Sequence, residues 1–446
     1  MAAPKMPIPR GSGFIRQNDP SQAPSDAQTP FRSLIPPKGH PRIAGIENHT
    51  ALSWCDSRRA VPEPAWLISR LEAQNLEKPY KGFSSDGNPD SSVWNWEKDS
   101  EGGAPVNEVA GAMNVLLEKL GEQGRKQVHC GEVDGDEIRL WSNPELYMNP
   151  GGIRLDETTE EVQKGIHDVI RASMSPAGYR KLWGCCLTNG FLGHLVDGRK
   201  VMNEHSYNFR IFGEIPPADK AERTGKEKWA YTFFGHHLCA AVVFVGQREV
   251  IGPVFMGAEP DEIDEGPDAG LRLFQEQEMG ALRLMQGLPG EQRAKAHISK
   301  GMDGESLPED RWNPFDERHL GGARQDNRIV PFEGLKVSEM KPEHREVIIS
   351  LFEFFNLYYP APVMAHRLRQ FKEHFDQTYF AWIGGFRDRD AYYYRIHSPV
   401  AFLEFDFHCG IFLTNTTPAH CHIHTVNRLP NKGDYARALL ELENSS

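Results

Sequence analysis

Apolar side chains recur every third or fourth position over Asn107–Leu120 (NEVAGAMNVLLEKL). They do so again over Asp156–Met174, where Val162, Ile166, Val169 and Ile170 share one face. This spacing predicts amphipathic helices. The second of them opens on acidic residues, which suit a helix N-terminus, and Ser175-Pro176-Ala177-Gly178 ends it. A further helix follows to about Leu195. The period then changes from helix to strand. Tyr207–Gly213 alternates with period two, and Tyr231–Gly246 (YTFFGHHLCAAVVFVG) is β-branched and aromatic throughout, which reads as one buried strand. Val250–Met256 is its expected pairing partner. Leu271–Gly287 is helical by pattern, and Gly301–Glu333 is a polar loop of a length that goes with function or mobility in a compact domain. Helices are predicted around His344–Asn356 and Val363–Phe375. The chain ends in strands at Thr378–Gly384, Tyr392–His397, Val400–His408 and His422–Asn427.

This order predicts an α+β fold, a largely antiparallel sheet with helices packed against it. There is no internal repeat. Residues 1–45 are rich in Pro, Ser, Gln and Gly and are expected to form a flexible tail. Residues 46–155 are read as an N-terminal extension packed on the core, and residues 156–446 as the α+β domain that carries the chemistry.

Composition narrows the function classes. With 25% charged residues and a formal net charge of −12, the surface is polar and acidic, which argues against a nucleic-acid partner. No run of about 18 apolar residues exists to span a membrane. The seven cysteines are odd in number and show no CxxC pair, which fits a reducing compartment. The first residues contain no apolar core of signal-peptide length, so a cytoplasmic location is expected.

The densest chemistry lies in the last fifty residues. Phe402-Leu403-Glu404-Phe405-Asp406-Phe407-His408 alternates apolar with ligating side chains, and His420-Cys421-His422-Ile423-His424 places imidazoles two apart. On a strand, residues two apart share a face. Glu404 and Asp406 would therefore line one face of one strand, and His422 and His424 one face of the next. Two imidazoles about 7 Å apart on one face can chelate a single ion. Histidines with a carboxylate form a common set for zinc or non-haem iron. The competing reading is a polar sheet face of salt-bridged histidines and carboxylates. His408 and His420 flank the connecting loop and are set aside as ligands.

Gly235-His236-His237-Leu238 supplies the third ligand. Neighbours on a flat strand face opposite ways, so only one of the pair is expected in the coordination sphere. His237 is taken as the ligand and His236 as a catalytic neighbour acting as hydrogen-bond donor or proton shuttle. Asp406 and Arg428 are the other catalytic candidates. Arg395 is a candidate for gripping a substrate carboxylate, although either arginine could equally pair with Glu404 or Asp434. Tyr207, Trp229 and Trp382 fit core packing better than a pocket. No P-loop, dinucleotide-type glycine fingerprint, HExxH or GxSxG is present.

Several segments resemble the uncharacterised family known as DUF3500: Tyr207-x-Phe209, Phe212-Gly213-x-x-Pro216, Phe234-Gly235-His236-His237-Leu238, and Pro253-x-Phe255-x-Gly257-Ala258-x-Pro260. So do Gly266-Pro267-x-x-Gly270-Leu271, Tyr394-Arg395-Ile396, Glu404-x-Asp406 and His422-Ile423-His424-x-Val426-x-Arg428. The resemblance covers roughly residues 160–440. The charged insert around Lys220–Lys228 and the long link His408–His420 depart from the family pattern. The resemblance implies no activity.

The residues thus point to a metal-dependent enzyme acting on a small organic molecule. A zinc-activated water doing hydrolytic or lyase chemistry is favoured. Non-haem iron chemistry on the same ligands is one alternative, and a non-catalytic metal- or ligand-binding protein is another. A saturated four-ligand site would favour binding alone, whereas three ligands facing a pocket would favour an enzyme.

Overall fold

A computed structural model describes residues 29–73, 79–96, 103–148, 151–217, 219 and 225–445. Among these lie ten α-helices: α1 (Ala51–Arg58), α2 (Pro62–Ala73), α3 (Val106–Val128), α4 (Glu160–Ser173), α5 (Pro176–Leu195), α6 (Gln275–Gly287), α7 (Gly290–Ala296), α8 (Pro342–Phe355), α9 (Ala361–Glu373) and α10 (Arg437–Ser445). Local chemistry sets several of the boundaries. Thr159 caps α4 by accepting from the Val162 amide, with Glu160 and Glu161 in the first turn. Ser175 caps α5 through the Gly178 amide, and Pro176 opens the helix where no amide hydrogen is needed.

Eleven strands among the described residues form one sheet. They are β1 (Ile153–Arg154), β2 (Tyr207–Gly213), β3 (Lys228–Gly235), β4 (Leu238–Val245), β5 (Arg248–Ala258), β6 (His297–Ser299), β7 (Leu335–Lys336), β8 (Tyr379–Gly384), β9 (Tyr392–Ser398), β10 (Ala401–Phe407) and β11 (Ile423–Arg428). The order across the sheet is β1-β2-β3-β4-β5-β11-β10-β9-β8-β6, with β7 on β8. Every pairing is antiparallel except β6 with β8. The fold is therefore α+β, as the element order predicts. The last strand, β11, lies at the centre between β5 and β10, so its side chains are covered on both faces.

The two faces differ in what covers them. Leu403, Phe405 and Phe407 of β10 and Ile423 of β11 join the main apolar core, together with Met113, Ile166, Leu182, Met285, Phe352 and Phe371 from the helices. The opposite face is packed by α1, α2 and the segment after β6. There Trp54, Leu67, Leu71 and Ala323 meet Phe255 and Val426. Alternation along β10 and β11 sends every ligating side chain to this second face.

Two expectations need correcting. Tyr231–Gly246 is not one strand. It is the β3–β4 hairpin, in which Gly235 pairs with Leu238 and His236-His237 forms the turn. His237 takes a left-handed backbone (φ 60°), a conformation that histidine adopts more readily than most residues. The tail expected over residues 1–45 lies outside the described residues up to 28. Beyond that, Phe31 and Leu34 are buried against Phe191 and Leu413. The Arg42 guanidinium donates to the Gly410 carbonyl at 2.7 Å and to that of Leu413. Part of the charged insert, residues 220–224, also lies outside the described residues. Among the described residues no helix is long and apolar enough to cross a membrane.

Candidate metal centre

Three imidazoles converge on the second face. His237 comes from the β3–β4 turn, His422 from the residue before β11 and His424 from within β11. One ring nitrogen of each lies within 4.8 Å of the others, and all three residues are buried. His422 Nε2 stands 3.1 Å from His237 Nε2 and 3.1 Å from His424 Nε2. A tetrahedral ion with bonds of about 2.0–2.1 Å holds its nitrogens roughly 3.3 Å apart, so His422 stands at ligand spacing from each of the other two rings.

The sheet makes this convergence possible. His424 pairs with Gly257 on β5. A Cβ at Gly257 would sit 3.0 Å from His424 Cδ2 and 3.1 Å from His237 Cδ2. Only the missing side chain lets the hairpin turn and β11 bring both rings over the same spot.

Neighbouring groups orient the rings. His422 Nδ1 lies 2.5 Å from the Cys409 carbonyl oxygen. A carbonyl can only accept, so Nδ1 carries the hydrogen and Nε2 keeps its lone pair. His424 Nδ1 lies 3.4 Å from His319 Nε2, a contact that leaves His424 Nε2 for the cluster. Behind them, Glu259 Oε1 is 3.7 Å from His422 Nδ1. The Glu259 carboxylate accepts the amides of Ile411, Phe412 and Leu413, and burial pushes its pKa up to about 7.

His236 stacks on His237 with ring centroids 3.9 Å apart. Its Nδ1 is 2.9 Å from Asn189 Oδ1. The Asn189 amide nitrogen donates to the Asn203 carbonyl and to Ser206 Oγ, which fixes the oxygen as the group facing His236. His236 therefore carries its hydrogen on Nδ1 and its lone pair on Nε2. Burial pushes the His236 pKa down to about 3. Burial also holds His237 well below the usual range, helped by the three neighbouring histidines. Both rings are neutral at physiological pH, the form a metal ligand needs.

His236, His237 and His424 border a cavity of about 80 Å³. Trp54, Leu67, Leu71, Leu146, Phe315 and Phe412 supply much of its apolar wall.

The other residues singled out in the sequence sit elsewhere. Glu404, expected as the carboxylate ligand, does not join the three histidines. Its oxygens accept the amides of Leu320 and Gly321 at 2.8 Å and the Tyr393 hydroxyl at 2.5 Å. Asp406, expected in catalysis, is cross-strand from His424 but is gripped by Arg318 at 2.8 and 3.1 Å. Arg428, also expected in catalysis, is buried between Asp326 and Asp434 at 2.8 and 3.0 Å. Arg395, expected to hold substrate, pairs with Glu333. Each of these four charges is balanced inside the protein rather than turned towards the cavity. His408 packs against His422 and His424, but its two nitrogens face the carbonyls of Cys409 and Phe315 at 3.1 and 3.0 Å. His420 lies away from the centre, beside Glu278.

Sequence reading missed His319, Asn189 and the whole cavity wall from α1 and α2. His319 lies in the polar loop Gly301–Glu333, whose length was the available signal. Asn189 sits within α5 in no recognisable motif and gave none.

A family model described as "Protein of unknown function (DUF3500)" matches residues 102–437. No curated protein and no solved structure matches.

Proposed function

The chain belongs to the DUF3500 family, whose description assigns no activity, and we propose from the site alone that it is a metal-dependent enzyme acting on a small organic molecule. The observation that carries this reading is the set of three convergent imidazole nitrogens at the edge of a cavity. Three protein ligands leave a fourth position open, which is the pattern of catalytic rather than structural zinc. With Glu404 and Asp406 engaged elsewhere, the set is all imidazole, which suits zinc better than the two-histidine, one-carboxylate set of non-haem iron. A bound zinc ion would supply an activated water and polarise a carbonyl, which favours hydrolysis over redox chemistry.

The chain's own groups have distinct tasks in this reading. His237, His422 and His424 hold the ion. The Cys409 carbonyl keeps His422 in the ligating tautomer, and His319 backs the His424 ring from its Nδ1 side. His236 offers its Nε2 lone pair to a water or substrate N–H or O–H in the cavity. Its depressed pKa makes it a hydrogen-bond acceptor that orients rather than a strong base. The apolar walls exclude bulk water, which strengthens these polar contacts. A cytoplasmic location accompanies the proposal, supported by seven free cysteines.

A panel of small esters and amides tests the activity. Hydrolysis that a chelator abolishes and added zinc restores supports the proposal. Hydrolysis that persists after the metal is removed contradicts the metal-dependent reading, and none across the panel while one ion is bound favours the non-catalytic binding reading instead.

A further inference from the structure

The cavity beside the three histidines has a definite size and character, and these limit what can reach the open position. This inference rests on the metal reading of those histidines. Leu67 and Leu71 of α2, Trp54 of α1, and Leu146, Phe315 and Phe412 from three loops give the wall much of its apolar part, and Arg42, Arg58, Glu63, Asn143 and Glu145 also line it. Leu67 and Leu71 are one helical turn apart and both are buried, so α2 presents one apolar stripe to the cavity. Asp316, a carboxylate on the cavity wall, is paired with Arg70 at 3.1 Å and held by Asn313. It is therefore not free to hold a ligand's polar group. At roughly 10–15 Å³ of such space per water, about 80 Å³ holds roughly five to eight water-sized groups.

We propose that the substrate is a short-chain acyl compound, an ester, amide or acid of about five to eight non-hydrogen atoms. Its carbonyl end would meet the histidine centre and its alkyl chain would run along Leu67 and Leu71. The part of the wall that measures chain length comes from α1 and α2, which precede the region matched by the family model. Residues 102–437 would then carry the reacting centre and most of the sheet, and the preceding helices would set which chain fits. His236, with its lone pair on Nε2, is placed to accept a hydrogen bond from the amide N–H or acid O–H of such a compound.

The test uses the full-length protein loaded with cobalt(II), whose visible spectrum reports what enters the coordination sphere. The probes are straight-chain hydroxamates from acetyl to decanoyl, which mimic an acyl compound at a metal. Affinity should rise roughly fourfold per methylene while the chain stays within the apolar wall. It should stop rising by about five carbons, where a hydroxamate reaches about eight non-hydrogen atoms and the cavity is full. Leu71→Ala should move that limit to longer chains with cobalt content and the unliganded spectrum unchanged. If Leu71→Ala fails to fold, the wild-type series decides alone.

Affinity that is flat with chain length, or that climbs steadily through decanoyl, overturns the inference and leaves the metal reading standing. So does a cobalt-loaded protein that binds no hydroxamate, because the coordination shell is then closed. Failure to take up cobalt overturns the metal reading, and this inference falls with it.

Discussion

His319 does not itself line the cavity, yet its Nε2 lies 3.4 Å from His424 Nδ1. That contact engages Nδ1 of His424 and holds the ring with Nε2 turned to the cluster. Groups in this position typically account for 10- to 100-fold in metal affinity. His319→Ala should therefore weaken zinc binding by about that factor in a competition titration, while His237, His422 and His424 remain in place. An unchanged affinity would mean that the contact orients nothing. The depressed pKa of His237 sets a second expectation. Free histidine begins to take up protons near pH 6.5, and protons then compete with metal. Because His237 titrates well below its ordinary range, that competition begins only below its folded pKa. The His237 ring of the metal-free protein should stay neutral from about pH 7.5 down through 6.5 in an NMR titration and take up its proton only in more acid solution. Protonation on crossing pH 6.5 would show that this ring is solvated. His422 and His424 were legible in the sequence because period two on a strand fixes a shared face. Glu404 and Asp406 were placed on the correct strand and face, but sequence pattern says nothing of who else competes for a carboxylate. The Leu320 and Gly321 amides and Arg318 all arrive from a loop more than eighty residues away.

At the scale of elements, β10 separates fold from function most cleanly. Its Leu403 is fully buried in the main apolar core, whereas the histidines project from the other face of the sheet. Leu403→Ala should cost about 2–5 kcal/mol of stability in denaturant unfolding. His422→Ala should remove metal and leave the protein folded, with a stability change well below that of Leu403→Ala. The opposite ranking would make the histidine face structural. The strands β8 to β11 and helices α4, α5, α8 and α9 were readable to within a few residues, because their alternation or helical period is long and unbroken. The β3–β4 hairpin was not readable. Its turn is His236-His237, with none of the Asn-Gly or Asp-Gly pairs that usually announce a two-residue turn, and the apolar residues on both sides conceal the break. That missed turn is why both histidines, rather than one, reach the site. Nor can register be read from pattern alone, and it is the pairing of His424 with Gly257 that admits the His237 ring.

At the scale of the whole molecule, the site is a junction. Three ligands come from two places in the chain, the residues orienting them come from α5, the long loop and the segment before β11, and the cavity wall adds α1 and α2. The histidine-bearing segments stand out in the sequence, but their assembly with α1 and α2 does not, since those two helices are locally unremarkable in composition. It also gives the central claim a direct check. The purified protein, dialysed free of loose metal and analysed for its elements, should hold about one equivalent of a first-row transition metal, zinc by the ligand set. His424→Ala, shown to be folded by its circular dichroism, should hold almost none. A wild-type protein that carries no metal and takes up none from added zinc would contradict the account, as would a His424→Ala protein that binds zinc as fully as wild type.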